Sequence, residues 1–265
     1  MPATSVLVLG CGDVGSAVAH RLFRAGARVV LCDLPEPSHS RRGMAYTDAL
    51  FNGTAVLEDV AARHVADLDA IRALWSAGGA IPVVTLPEDD LAVALRVDAV
   101  VDAIMRRHAM PPDRRALAAT VVGLGPGFTP GINCHVAVET QWGDAMGSVL
   151  RDRATAALSG GPKPLAGIGH ERFVSAGVSG RWCTSAAIGQ DVAADEIVGT
   201  IAGTPVRAPL GGRLRGLPRD GVMVIAGQKL VEVDPRAAPR VFGLGARPRA
   251  AALGVCRALG LEAEG

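Results

Sequence analysis

The chain has 265 residues, 49% of them hydrophobic, which is enough to bury the core of one large or two small domains. Its 27 Lys and Arg against 26 Asp and Glu leave a net charge of +1, so no field of one sign points to nucleic acid or to a membrane surface. Five scattered cysteines without CxxC spacing argue against a disulfide or zinc framework and make a reducing compartment, the cytoplasm, the expected setting.

The first element is the apolar run Ser5-Val6-Leu7-Val8-Leu9, which reads as a short buried strand. Gly10-Cys11-Gly12-Asp13-Val14-Gly15 follows it and opens a helix over 14–25, with apolar residues at Val14, Val18 and Leu22. Gly26 stops that helix, and a second strand over 27–32 ends at Asp33. A GxGxxG between strand and helix, with an acid 18 residues on, is the dinucleotide-binding fingerprint in its expected setting. Gly10 permits the tight turn, Gly12 lets a pyrophosphate approach the backbone, and Gly15 lets the helix pack on the strand. The amides of Asp13 and Val14, at the positive end of the helix, favour an anion. Asp33 would accept hydrogen bonds from an adenosine ribose, which favours NAD. Cys11 sits at a variable position beside any bound pyrophosphate.

Further helices are predicted over 45–51, 67–77 and 88–95, and strands over 81–85, 97–101 and 119–124, with 53–66 unassigned. This alternation implies a parallel sheet covered on both faces, a Rossmann-like domain over 1–145. Arg41 and Arg42, near the end of the second strand, could grip a phosphate. The loop Gly123-Leu124-Gly125-Pro126-Gly127-Phe128-Thr129-Pro130-Gly131 follows a strand, and the amides around Gly125, Gly127, Phe128 and Thr129 could form an anion-binding nest. Asp102, Cys134 and His135 are the weak catalytic candidates; Cys134 and His135 are neighbours on a predicted strand and point to opposite faces. His20, His39, His64, His108, His135 and His170 show no metal-ligand spacing, and no metal site is expected.

Residues 146–181 form an irregular connection rich in glycine and proline, including Gly160-Gly161-Pro162-Lys163-Pro164. Short β-type runs punctuated by glycine fill 182–235, in a spacing that resembles the barrel-sandwich hybrid of lipoyl and biotinyl carrier domains. The hairpin that would bear the modified lysine falls near Gly203-Thr204-Pro205 and has no lysine; Lys229 lies on another turn. Residues 236–265 form a C-terminal helical segment, with an amphipathic helix over 249–259. The fold class is therefore α/β, a Rossmann-like parallel sheet followed by a smaller β-rich domain. The longest apolar run, Val97 to Met105, is broken by aspartates and too short to span a bilayer, and the start lacks the basic-then-apolar pattern of a signal peptide.

Several of these runs, in order along nearly the whole chain, resemble the XdhC-like accessory proteins of molybdenum hydroxylases, in the selenium-dependent molybdenum hydroxylase system branch. They are the fingerprint with Arg21-Leu22-Phe23-Arg24-Ala25-Gly26, Arg41-Arg42 with Ala45 and Ala49, Val100 to Met105, Gly123 to Gly131, Val138-Glu139-Thr140, Glu171-Arg172, Arg215-Gly216-Leu217, and Lys229 with Val233-Asp234-Pro235-Arg236. Asn133 stands where the pattern has an acid, and Trp142-Gly143-Asp144 departs from it. The resemblance implies a cytoplasmic factor that matures or inserts the molybdopterin cofactor of a xanthine or carbon monoxide dehydrogenase type enzyme. It implies a client hydroxylase as partner and the molybdopterin cofactor as ligand, beside the NAD or other adenine or cytidine dinucleotide that the fingerprint suggests. It leaves self-association open. The residues also admit an NAD-dependent oxidoreductase, with Asp102 or His135 moving the proton, and a non-catalytic scaffold that docks a client enzyme.

Overall fold

The computed structural model describes residues 3–106, 109–158 and 161–261; His108 and Gly160 lie outside the described residues. β1 (Ser5–Leu9) is apolar and buried throughout, because helices cover both of its faces. α1 (Asp13–Arg24) turns Val14, Ala17, Val18 and Leu22 onto the sheet and ends before Gly26, whose φ of +83° only glycine adopts cheaply. β2 (Arg28–Cys32) runs parallel to β1.

The chain then makes a tight turn at 42–44 and the one-turn α2 (Ala49–Asn52), shorter than the predicted 45–51 helix. Tyr46 and Thr47 are drawn inward instead: the Tyr46 amide donates to Ser16 Oγ (2.8 Å) and Thr47 Oγ1 donates to the Cys11 carbonyl (2.8 Å). The unassigned 53–66 stretch is the hairpin of β3 (Thr54–Leu57) and β4 (Val60–His64). Next come α3 (Leu68–Ala77), capped by the Asp67 carboxylate, β5 (Ala80–Val84), α4 (Glu88–Leu95), β6 (Ala99–Asp102), β7 (Thr120–Leu124), β8 (Val136–Val138) and β9 (Val149–Leu150).

These strands form one nine-stranded sheet in the order β3-β4-β5-β2-β1-β6-β7-β8-β9, parallel from β4 to β8, with an antiparallel strand at each edge. The strand order reverses between β1 and β6, and Gly10 and Ala103 meet beyond their carboxyl ends, the position at which open α/β sheets hold ligands.

The β-rich part comprises β10 (Phe173–Ser175), β11 (Gly180–Cys183), β12 (Asp191–Val192), β13 (Ile197–Ile201), β14 (Thr204–Arg207), β15 (Gly212–Gly216), β16 (Met223–Val224) and β17 (Lys229–Asp234). They make two antiparallel four-stranded sheets, β10-β17-β15-β12 and β14-β13-β11-β16, around Trp182, Leu214, Leu230 and Val233. Among the described residues the two sheets do not close into a barrel. The β13–β14 turn lies at Ala202-Gly203, and the Lys229 ammonium rests 3.7 Å from the centre of the Phe173 ring. The last helix, α5 (Ala246–Leu259), returns to the parallel sheet and packs on α1 and β8. Among the described residues no helix is long and apolar enough to cross a membrane.

Candidate functional site

The fingerprint turn is held from several directions. The Gly10 amide donates to the Cys32 carbonyl (2.8 Å), and a Cβ on Gly10 would lie 2.9 Å from the Ala103 carbonyl oxygen. A Cβ on Gly15 would overlap the Gly10 carbonyl oxygen, so α1 rests directly on the strand end. The Cys11 carbonyl accepts from Ser16 Oγ (2.9 Å) and from Thr47 Oγ1. Cys11 itself is buried, and burial together with the Asp33 charge pushes its thiol far up.

The amides that would hold a pyrophosphate already have acceptors. Asp13 N–H donates to His39 Nε2 (3.1 Å), and Val14 N–H donates to Asp13 Oδ1 (3.0 Å). The His39 ring covers Gly12, where a Cβ would lie 3.1 Å from ring atoms. Burial holds the His39 imidazole below its ordinary pKa, which keeps the Nε2 lone pair available as an acceptor. The strap that carries His39 is tied to the β-rich part: Gln228 Nε2 donates to Ser38 Oγ (2.6 Å), and the Leu217 amide donates to the Ser40 carbonyl (2.8 Å).

Asp33 closes the β2 end. Its Oδ2 accepts from the Cys11 amide and its Oδ1 from the Leu34 amide (2.7 Å). The residue is half-buried, and the neighbouring Leu34 is 70% exposed.

Arg41 and Arg42 are engaged with carboxylates. Arg41 Nη1 donates to Asp13 Oδ2 (3.1 Å) and its Nε to Glu232 Oε2 (2.7 Å); Arg42 bonds both Asp48 oxygens and the Leu217 carbonyl. Glu232 also takes Arg172, and Arg215 lies 3.6 Å away; the next acid on the strand, Asp234, pairs with Arg236 at 2.6 Å. Burial alone would raise the Asp13 carboxyl, but the positive field of Arg41, with smaller help from His39 and Arg247, holds it at about 2. A carboxyl lowered from 3.8 to about 2 contributes about 2 kcal/mol of stability above its unfolded pKa, and that contribution is lost as pH falls through the folded value. Unfolding followed against pH should therefore show stability falling between about pH 4 and pH 2, and Asp13→Asn should flatten part of that slope. An unchanged slope in the variant would remove Asp13 from the acid response.

The second glycine loop is stapled by Asn133. Its Oδ1 accepts from Thr129 N–H (2.9 Å), and its Nδ2 donates to the Gly127 carbonyl (2.9 Å) and to the Pro111 carbonyl (3.3 Å). Gly125 and Gly127 have φ of +95° and +88°, and Phe128 is buried against Gly123. Asn133→Asp keeps the acceptor and loses both donated bonds, so a loss of about 1–3 kcal/mol is expected in urea denaturation. Equal stability of the two proteins would mean that the loop holds itself without the staple.

Asp102 is fully buried at the end of β6, chelated by Arg106 Nη1 (2.8 Å to each oxygen) and contacted by Arg114, which also pairs with Glu88. Burial pushes its carboxyl up, against the pull of Arg106. Cys134 is buried, and burial lifts its thiol to about 11. His135 is exposed, and its Nδ1 accepts from the Val121 amide (2.9 Å). The carboxyl end of the sheet thus brings Gly10 and Cys11, both buried, and Asp33 toward Ile104, Met105 and Gly125, since Met105 Sδ lies 3.2 Å from a Cβ position on Gly125. Cys134 lies in the core on one side of the sheet, and Arg42 is bound away at Asp48. His39, Glu232, Thr47 and Asn133 carry the local geometry without any spacing signal in the sequence; each acts on a segment it meets only in the folded chain or through a loop turn. Among the described residues no group of three or more His, Cys, Asp or Glu is placed to hold a metal ion.

No family model matches the chain. A curated relative, the uncharacterized protein YqeB of Escherichia coli K12, is 32% identical over 255 residues, which are 96% of this chain and 47% of that protein. The chain therefore spans about half the length of the curated relative it matches. Among solved structures, an aspartoacylase family protein from Mesorhizobium loti gives a TM-score of 0.28 at 10% identity, covering 89% of this chain and 87% of the other. The product-bound ectoine utilization protein EutE from Ruegeria pomeroyi gives 0.27 at 13%, covering 88% and 86%, and a succinylglutamate desuccinylase from Silicibacter sp. TM1040 gives 0.25 at 11%, covering 87% and 84%. Likeness at this level transfers no activity to the chain.

These findings correct the resemblance drawn from the sequence. The sequence relative found is an uncharacterized protein, and the solved structures named above are of aspartoacylase, ectoine utilization and succinylglutamate desuccinylase proteins; none of these is an XdhC-like protein. The molybdenum cofactor accessory role is withdrawn with its client hydroxylase, as are the oxidoreductase and client-docking alternatives. The physical reason lies in the runs that carried the resemblance. Arg41, Arg172 and Arg215 surround Glu232, Asp234 holds Arg236, and Glu139 accepts the amides of Thr140, Gln141 and Ala156. Arg41–Glu232 joins the two parts of the fold, and the other contacts hold local structure within one part, so these residues have structural roles.

Proposed function

We propose that the chain binds a ribose-bearing ligand, a nucleoside or a nucleotide, in the crevice beyond β1 and β6. The observation that carries this reading is Asp33: a half-buried carboxylate at the end of β2 whose two oxygens each accept a single backbone N–H. A carboxylate oxygen has room for a second donor, so a ribose diol could bond it without displacing either amide. Leu34, exposed beside it, offers an apolar face to a base. In the same reading the first sheet is a dinucleotide-binding fold and the β-rich part a barrel-sandwich hybrid, and a cytoplasmic setting suits five free cysteines.

The fit of NAD or another dinucleotide is uneven. Its ribose suits Asp33, but its pyrophosphate would need the place above Gly12 that His39 covers. The test is calorimetry and thermal unfolding with adenosine, cytidine, AMP and NAD. A ligand at about 100 times its dissociation constant should stabilise by roughly 2.7 kcal/mol. Asp33→Asn keeps an acceptor for Cys11 and should weaken binding about 10-fold, by removing the charge on the acceptor. If no nucleoside or nucleotide alters the melting temperature at millimolar concentration, the reading fails.

A further inference from the structure

We infer that His39 is the specificity-determining residue of this crevice, occupying the seat that a diphosphate takes on a glycine fingerprint and so selecting nucleosides over their diphosphates. The inference rests on the ribose-binding reading above for its ligand, but its geometry stands without it.

A phosphate bound at a helix start needs two things: amides without acceptors, and a glycine whose missing Cβ lets the oxygens come close. Here the Asp13 amide donates to His39 Nε2 at 3.1 Å, and the Val14 amide is capped by the Asp13 carboxylate at 3.0 Å. The space over Gly12 is filled by the imidazole, whose Nδ1 and Cε1 lie 3.1 Å from where a Cβ would stand. The imidazole thus does in the fold what a phosphate oxygen does in a complex: it accepts the N–H and covers the glycine. Asp13 adds a negative charge at the same helix end, shared with Arg41. The strap does not carry His39 loosely, because Ser38 and Ser40 on either side are bonded to Gln228 and Leu217. The Asp33 carboxylate, one residue beyond β2, lies outside this plug and keeps its spare lone pairs. A ligand that ends at its ribose meets no obstacle from His39, and one that continues into a diphosphate does.

The test is isothermal calorimetry of the whole chain with adenosine, ADP and inorganic pyrophosphate, on the wild type, His39→Ala and His39→Gln. The wild type should bind ADP more weakly than adenosine and should give no pyrophosphate binding at millimolar concentration. His39→Ala opens the seat and frees the Asp13 amide; ADP should gain about 10-fold or more over adenosine, and pyrophosphate should become a ligand. His39→Gln, which retains bulk and an acceptor, should behave as the wild type. A wild type that binds ADP as tightly as adenosine or more tightly overturns the inference, as does a folded His39→Ala with an unchanged ratio and no pyrophosphate binding. If the alanine variant does not fold, the wild-type ratio alone decides. If adenosine binds to none of the proteins, the ribose reading falls, while pyrophosphate on His39→Ala against wild type still tests the seat.

Discussion

Replacing Glu232 by alanine should remove about 3–5 kcal/mol of stability, read as a lower urea midpoint and a lower melting temperature. Glu232 is 2% exposed and receives Arg41 Nε at 2.7 Å and Arg172 Nη1 on its other oxygen, with Arg215 at 3.6 Å. Burial would raise its carboxyl, yet Arg41 and the further arginines hold it below its ordinary value. Arg172 is 3% exposed, so without Glu232 its guanidinium becomes a buried charge with no counter-charge in contact among the described residues. The loss is asymmetric: the intact network need not be strongly stabilising, but half of it is costly. Glu232→Gln keeps the acceptor oxygen and removes the charge, and should fall between wild type and alanine. A loss below about 1 kcal/mol for the alanine variant would mean that the arginines are solvated, as surface pairs are. Because Arg41 joins Glu232 to Asp13, the same substitution should also loosen the fingerprint turn, seen as faster amide exchange at Asp13 and Val14.

Gly15→Ala should cost about 3 kcal/mol or more, at the upper end of what overpacking does. The added methyl would overlap the Gly10 carbonyl oxygen, which is backbone and has no rotamer by which to move aside. Gly10 is itself pinned by its bond to Cys32 and its contact with Ala103, so α1 must shift off β1. Gly26→Ala is the control. It meets open space and only its φ of +83° is unfavourable, so about 1 kcal/mol is expected. Denaturation midpoints that move equally in the two variants would show that close packing at Gly15 has no special weight.

The parts of the fold that were legible are those whose pattern is set locally. β1, β2, β5, β6 and β7 read as strands because burial on both faces demands near-continuous apolar runs. α1 read as a helix because its buried residues recur at helical spacing between two glycines. The β3–β4 hairpin did not, since β4 alternates weakly and becomes a strand by pairing with β5. The helix placed at 45–51 shrank to one turn because Tyr46 and Thr47 satisfy Ser16 and Cys11, groups about thirty residues earlier. The return of α5 to α1 had no signal in its own residues, whose amphipathic stripe does not say what it will cover.

The same division runs through the site. The residues alone determined that Gly10-Cys11-Gly12-Asp13-Val14-Gly15 would turn a strand into a helix, with Asp33 at the end of the next strand, because backbone reach and the lack of a Cβ are properties of the segment itself. What sits on that turn was decided only by the tertiary structure. His39, Arg41 and Glu232 arrive from segments that meet the helix start only in the folded chain, and their separation along the chain, 191 residues between Arg41 and Glu232, leaves no periodicity to read. A fingerprint specifies a shape and a field that favour an acceptor, and in this fold an imidazole and a carboxylate of the chain itself supply it.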